Sequence, residues 1–107
     1  LFTACQQGQI ECARLLLEAN AAVDQADIEG CTPLYIASEN GQLECSRLLL
    51  EANAAVDQAD DEGTTPLSAA SFNGEIDCVR LLLAAGAAVE HAKDGGVTPL
   101  ALTRAVS

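Results

Sequence analysis

The chain repeats itself every 33 residues. The triplet Thr-Pro-Leu occurs at positions 32–34, 65–67 and 98–100. The segments 1–33 and 34–66 differ at only nine positions, and residues 14–27 are identical to residues 47–60. Internal similarity at a fixed period of this length indicates a stacked-repeat architecture. Such chains are nearly one-dimensional, and their extended faces are used to hold other molecules.

Each period begins with signals for a turn and a short helix. In the central period, Gly30 can supply the positive φ of a tight turn. Thr32 is a suitable N-cap, and Pro33 suits the first helical position because its missing N–H would be unpaired there. We expect this helix to run to about Glu39, where an Asn-Gly pair ends it.

A second helix is predicted at about residues 43–52. It should stop at Asn53, whose equivalents are Asn20 and Gly86, because Asn and Gly tolerate the left-handed conformation best. Three recurrent pairs at i,i+3 spacing predict ion pairs on the helix surface: Glu11 with Arg14, Glu44 with Arg47, and Asp77 with Arg80. Helices this short are marginal alone, so the units must stack into a continuous slab.

The order of turn, Gly-x-Thr-Pro-Leu, helix, Asn/Gly, helix, Leu-Leu, Asn/Gly-Ala-x-Val resembles the ankyrin repeat over essentially the whole chain. The resemblance implies an all-α repeat solenoid of helix-turn-helix repeats with projecting β-turn fingers. The histidine that usually follows Thr-Pro-Leu is Tyr35, Ser68 or Ala101 here. Its side-chain hydrogen bond to the turn threonine is therefore expected to be missing or altered.

The resemblance also divides the chain into units within one domain. We expect a first unit without its turn, two complete units and a partial fourth, at residues 1–26, 27–59, 60–92 and 93–107. No polar caps are evident at either end, although soluble arrays normally carry them. We therefore expect a segment of a longer array, with self-association through the uncapped ends as a further expectation.

The chain is strongly acidic. Its net charge is −11, with only five Lys and Arg residues. Nucleic acid and anionic membrane are unsuitable partners, because both require clustered basic residues. No apolar run approaches the ~18 residues needed to span a bilayer. A basic protein partner is favoured by the long-range field. The alternative is that the acidity only keeps the chain in solution.

Three of the five cysteines, Cys12, Cys45 and Cys78, occupy one repeat position. Stacked units would hold these α-carbons roughly 10 Å apart, which is beyond the ~7 Å limit for a disulfide. We interpret them as reduced, small core residues, which is typical of a reducing, cytoplasmic compartment.

The sequence contains no catalytic or metal-binding pattern. His91 is the only histidine, and there is no C-x-x-C pair, so a zinc site is not expected. Neither a Walker-type nor a dinucleotide-type glycine loop is present. We expect a protein that is not an enzyme and has no cofactor.

Candidate contact residues are those that vary between otherwise similar units. The resemblance assigns them to a concave face formed by the fingers and the ends of the first helices. The candidates are Gln6, Gln7, Ile28, Glu29, Cys31, Glu39, Asn40, Asp61, Glu62, Thr64, Phe72, Asn73, Asp94 and Val97. Phe72 would anchor the interface as an aromatic among polar groups, whereas Tyr35 and Phe2 are expected to pack between units. The alternative is that the variable positions are unconstrained surface.

Two functions remain open. The first is a protein-interaction module that binds a protein or peptide, with a basic one favoured, on the concave face. The second is a structural spacer inside a longer solenoid, which the near-identity of the first two units favours. Divergence in the third unit, where Ala84 replaces the equivalent of Glu18 and Glu51, favours a local site.

Overall fold

The computed structural model describes residues 1–89 of the chain. Six helices lie in that part: α1 (Phe2–Gln6), α2 (Ile10–Glu18), α3 (Pro33–Glu39), α4 (Leu43–Glu51), α5 (Pro66–Phe72) and α6 (Ile76–Ala84). Residues 1–89 contain no strand, so the described chain is an all-α repeat solenoid, as predicted. The expected fourth unit lies outside the described residues.

The threonine N-caps form without the missing histidine. Thr32 Oγ1 accepts a hydrogen bond from the backbone N–H of Tyr35 at 3.1 Å, and Thr65 Oγ1 accepts one from Ser68 at 3.2 Å. Both threonines are fully buried. A buried hydroxyl needs such a partner, and the first turn of the helix supplies it.

The second helix of each pair ends as the sequence predicts, within one residue. The helix α4 stops at Glu51, and Ala52 is its C-cap. Asn20 and Asn53 follow with φ of 65° and 66°, and Gly86 has φ of 92°. These residues turn the chain out of the helix at little steric cost.

The helices form two layers. The first helices, α1, α3 and α5, pack side by side, and so do the second helices, α2, α4 and α6. The core between the layers is built from almost fully buried leucines and small residues: Leu34, Leu49, Leu67, Leu82, Cys5, Cys45, Cys78, Ala13, Ala37 and Ala70. Small side chains let the helices approach closely, and the leucines supply most of the buried apolar area.

The prediction that three cysteines are core residues is correct for two of them. Cys45 and Cys78 are buried, but Cys12 is exposed. Cys45 in α4 faces Cys5, and Cys78 in α6 faces Ser46, each in the preceding helix pair. No preceding helix pair packs against α2 in the described residues. The cysteines in the structure are free.

Side chains in the connecting segments join neighbouring units. Asp24 Oδ1 accepts from the backbone N–H of Ala55 at 3.0 Å, and Asp57 Oδ1 accepts from Ala88 at 3.1 Å. The three predicted ion pairs also form, at 3.5 to 4.0 Å, between exposed side chains. Exposed pairs of this kind contribute only about 0.3 kcal/mol each, so the aspartate bonds and apolar packing hold the units together.

Two turns project from the slab at residues 27–31 and 60–64, which we name the first and second fingers. Asp61 at the second finger donates its backbone N–H to the carbonyl oxygen of Glu29 in the first, at 3.0 Å. Gly30 has φ of +81°, and a Cβ placed on it would lie 2.9 Å from the Asp61 nitrogen. Glycine is therefore required both by the turn and by the approach of the next finger.

The variant Gly30→Ala is expected to lower the free energy of unfolding by about 3 kcal/mol, because it adds backbone strain and forces the fingers apart. Gly74→Ala is a matched control, since Gly74 has φ of +70° and no described atom lies within 4 Å of a Cβ built there. It should lose only about 1 kcal/mol. Urea unfolding followed by circular dichroism measures both. Equal losses would contradict a close contact between the fingers.

Candidate protein-binding groove

Each finger is held by an aspartate at its base. Asp27 Oδ1 accepts from the backbone N–H groups of Glu29 and Cys31, both at 2.9 Å. Asp60 Oδ1 does the same for Glu62 and Thr64, again at 2.9 Å. Asp suits this position because its side chain closes the turn. These bonds within the chain hold the finger in shape without a bound protein.

The ends of the first helices form the floor beside the fingers. Asn73 Nδ2 donates to the carbonyl oxygen of Glu39 at 3.0 Å, and Gln42 Nε2 lies 3.5 Å from the carbonyl oxygen of Gln6. These bonds tie the end of each first helix to the next unit. The floor is therefore as firmly connected as the fingers above it.

Fingers and helix ends enclose a groove of about 470 Å³. Its walls are formed by Phe2, Gln6, Asp27, Ile28, Glu29, Cys31, Tyr35, Ile36, Glu39, Asp60, Asp61 and Glu62. Six of these twelve residues carry a carboxylate and none is basic. The groove combines an acidic surface with a few apolar side chains.

Half of the predicted contact residues line this groove. They are Gln6, Ile28, Glu29, Cys31, Glu39, Asp61 and Glu62. Gln7, Asn40, Phe72 and Asn73 lie on exposed helix ends outside it, with Phe72 69% exposed at the end of α5. Thr64 is buried and offers little surface. Asp94 and Val97 lie outside the described residues.

Five groove residues were not among the predicted contacts: Phe2, Asp27, Tyr35, Ile36 and Asp60. Tyr35 is buried, in agreement with its expected packing between units, yet it still forms part of the wall. Asp27 and Asp60 are the same residue at equivalent positions, so a comparison between units could not select them as variable. A signal was available in Asp27-x-x-Gly30, because this pattern is typical of a turn whose aspartate bonds the backbone.

The carboxylates shape the electrostatics of the groove. Partial burial raises the pKa of Glu39 above its ordinary value, and the nearby Asp60 raises it further. Burial also raises the pKa of Tyr35, with Asp60 and Glu39 adding to the effect. For the Cys31 thiol, burial followed by Asp27, Asp60, Glu29 and Glu39 raises the pKa to about 12. Negative charge thus accumulates here without a compensating cation in the wall.

The arrangement of acidic groups differs from that of a metal site. Within residues 1–89 there is no group of three or more His, Cys, Asp or Glu side chains that could hold a metal ion. None of the helices described is long and apolar enough to cross a membrane. The acidic groups are spread along the groove instead of converging on one point.

Comparison with known proteins identifies the repeat. A family model described as Ankyrin repeats (3 copies) matches residues 1–60, and one described as Ankyrin repeat matches residues 62–95. No individual curated protein matches the chain. The chain therefore belongs to the ankyrin-repeat family, as its sequence pattern predicted. Ankyrin repeats are generally protein–protein interaction modules without catalytic activity.

Cys31 can report the electrostatic environment of the groove. With a thiol pKa raised to about 12, alkylation by neutral iodoacetamide at pH 8 should be about 100-fold slower than in the urea-unfolded chain. Peptide mapping by mass spectrometry follows this one residue. Glu39→Gln should accelerate the reaction, whereas Glu51→Gln on the outer surface should not. A native rate equal to the unfolded rate would contradict this description.

Glu39 should also affect stability. Its pKa is raised in the folded chain, so folding favours the protonated form and the carboxylate opposes folding at neutral pH. Glu39→Gln should therefore gain about 0.3 kcal/mol at pH 7, after allowance for solvent screening. The gain should be lost as the pH falls below the ordinary glutamate value of about 4.3. Urea midpoints at pH 7 and pH 4 test this, with Glu51→Gln as control. A destabilised Glu39→Gln at pH 7 would contradict it.

Proposed function

We propose that this chain is a non-catalytic interaction module whose groove binds a segment of a partner protein. The supporting observation is the location of the positions at which the repeat units differ. Segments 1–33 and 34–66 differ at nine positions, each of which is a pair of equivalent residues. At five of these positions, one or both members of the pair line the groove. Eight of the twelve wall residues are at these differing positions.

The alternative function, a structural spacer, accounts less well for this distribution. Sequence differences between units that have no role in binding would be spread over the whole exposed surface. The outer helices α2 and α4 are exposed too, yet they keep the same surface residues, as in Glu11 and Glu44 or Arg14 and Arg47. Five of the nine differing positions lie at one concavity, and this concentration favours recognition by that concavity.

The rigidity of the groove supports a binding role. The finger turns are closed by Asp27 and Asp60, and the fingers are joined to each other by a backbone bond. A surface fixed before association loses little conformational entropy when it binds. The proposed site therefore needs no ordering step.

The charge of the groove favours a basic partner. Its six carboxylates accompany a net charge of −11 for the chain. Complementary charge raises the association rate and rejects acidic competitors. Burial and the same field together disfavour nucleophilic catalysis by Cys31, because a thiol with a pKa of about 12 is almost entirely protonated at neutral pH.

The test is selection of peptides from a random 12-residue display library on the folded, monomeric chain. We expect basic peptides to be enriched and their binding to weaken with salt. The triple variant Glu39→Gln, Asp61→Asn, Glu62→Gln should weaken binding about tenfold. Glu11→Gln, Glu18→Gln, Glu51→Gln removes the same charge from the outer face and should have a much smaller effect.

Two outcomes would contradict the proposal. One is a folded, monomeric sample that enriches no peptide, which would favour the spacer. The other is binding that the outer-face variant weakens as much as the groove variant, which would place the contact elsewhere or reduce it to net charge. Sedimentation of the same sample separates a monomer from copies that associate through their ends.

A further inference from the structure

The two ends of the groove use the same repeat positions for different chemistry. Where the first finger meets α1, the groove presents Phe2, Gln6 and Ile28. Where the second finger meets α3, the equivalents are Tyr35, Glu39 and Asp61. Each substitution from the first set to the second exchanges an apolar or neutral group for a more polar or charged one. The groove therefore has a polarity along its length.

The first end offers apolar surface that nothing in the described chain covers. Ile28 is 98% exposed at the finger, and Phe2 is half-buried in the wall of the same groove. A fully exposed isoleucine alone is ordinary. Here it lines the same concavity as an aromatic ring, which is an arrangement that can receive an apolar side chain of a ligand.

The second end offers two carboxylates beside each other. Asp60 and Glu39 line the same groove, and the charge of Asp60 acts on Glu39, whereas Asp27, the counterpart of Asp60, has the neutral Gln6 at the equivalent position. One oxygen of Asp60 accepts two backbone hydrogen bonds, and the Tyr35 hydroxyl is a side-chain donor to the same carboxylate. Partial burial and mutual repulsion raise the pKa of Glu39. A cation placed between the two carboxylates would remove that repulsion.

An organic cation suits this end better than a metal ion. The described residues supply no third acidic or other ligand close enough to complete a metal site. A guanidinium group is planar, weakly hydrated and able to bond two carboxylates at once. An arginine side chain is therefore the occupant that best matches the second end.

Spacing connects the two ends. Neighbouring helices pack about 8–10 Å apart, and a chain in the extended polyproline II conformation advances about 3.1 Å per residue and brings every third side chain to the same face. Resting on the proposed function, we propose that the groove selects an extended protein segment with an apolar side chain on Phe2 and Ile28, and an arginine three residues away on Glu39 and Asp60.

Each end of the groove can be tested separately by introducing the residue that another unit carries at the equivalent position. Ile28→Asp gives the first finger the residue that the second finger carries, and Glu39→Gln gives α3 the residue that α1 carries. The fold accommodates each residue at the equivalent position. Glu51→Gln, on the outer face, is the control with the same change of charge as Glu39→Gln.

The experiment continues the library selection with double-mutant cycles. Enriched peptides are resynthesised with a fluorophore, and their apolar residue or arginine is replaced by alanine. We expect the arginine replacement to weaken binding to the unaltered chain about fivefold and to have almost no effect on Glu39→Gln. The apolar replacement should likewise lose its effect on Ile28→Asp. Glu51→Gln should behave as the unaltered chain.

Each possible result either supports or overturns the proposed selection of an apolar residue and an arginine. Coupling of arginine to Glu39 and of the apolar residue to Ile28, at the three-residue spacing, supports the inference. Peptides that bind in the groove but show no such coupling, or carry the two residues at unrelated spacings, overturn it and leave the proposed function standing. A folded chain that enriches no peptide overturns both.

Discussion

Contact between neighbouring helix pairs is the interaction on which every other feature depends. The helices contain five to nine residues, and helices of that length are marginal alone in water. Leu34, Leu49, Leu67 and Leu82 are almost completely buried, and each such leucine contributes about 2 kcal/mol. The groove exists because this packing sets successive helix ends and fingers side by side.

The same carboxylates serve the fold and the chemistry of the groove. Asp27 and Asp60 close the finger turns with one oxygen. Their charge also contributes to the environment that keeps the Cys31 thiol protonated. The aspartates that close the turns therefore place negative charge in the concavity, and Glu39 adds to it at one end only. A cationic partner would relieve the repulsion between Glu39 and Asp60.

Much of the fold could be predicted from the sequence because its signals are local. Thr32 and Pro33 begin a helix through their own backbone geometry, and Asn53 ends the next one for the same reason. The site was predictable only in part. Variation between units pointed to Ile28 and Glu39, whereas Tyr35 enters the wall through contact with another unit. Burial of Thr64 and exposure of Cys12 likewise follow from neighbours that no local pattern reveals.

The side-chain bonds between units reach only one repeat along the chain. Those of Asp24, Gln42, Asp57 and Asn73 join residues 31 to 36 positions apart. Folding can thus begin in any adjacent pair of units and spread to the next, with no loop longer than about one repeat to close. Whole units can be added to or removed from such an array, each changing its stability by one unit and one interface. A groove built from adjacent units keeps its shape through such changes in length.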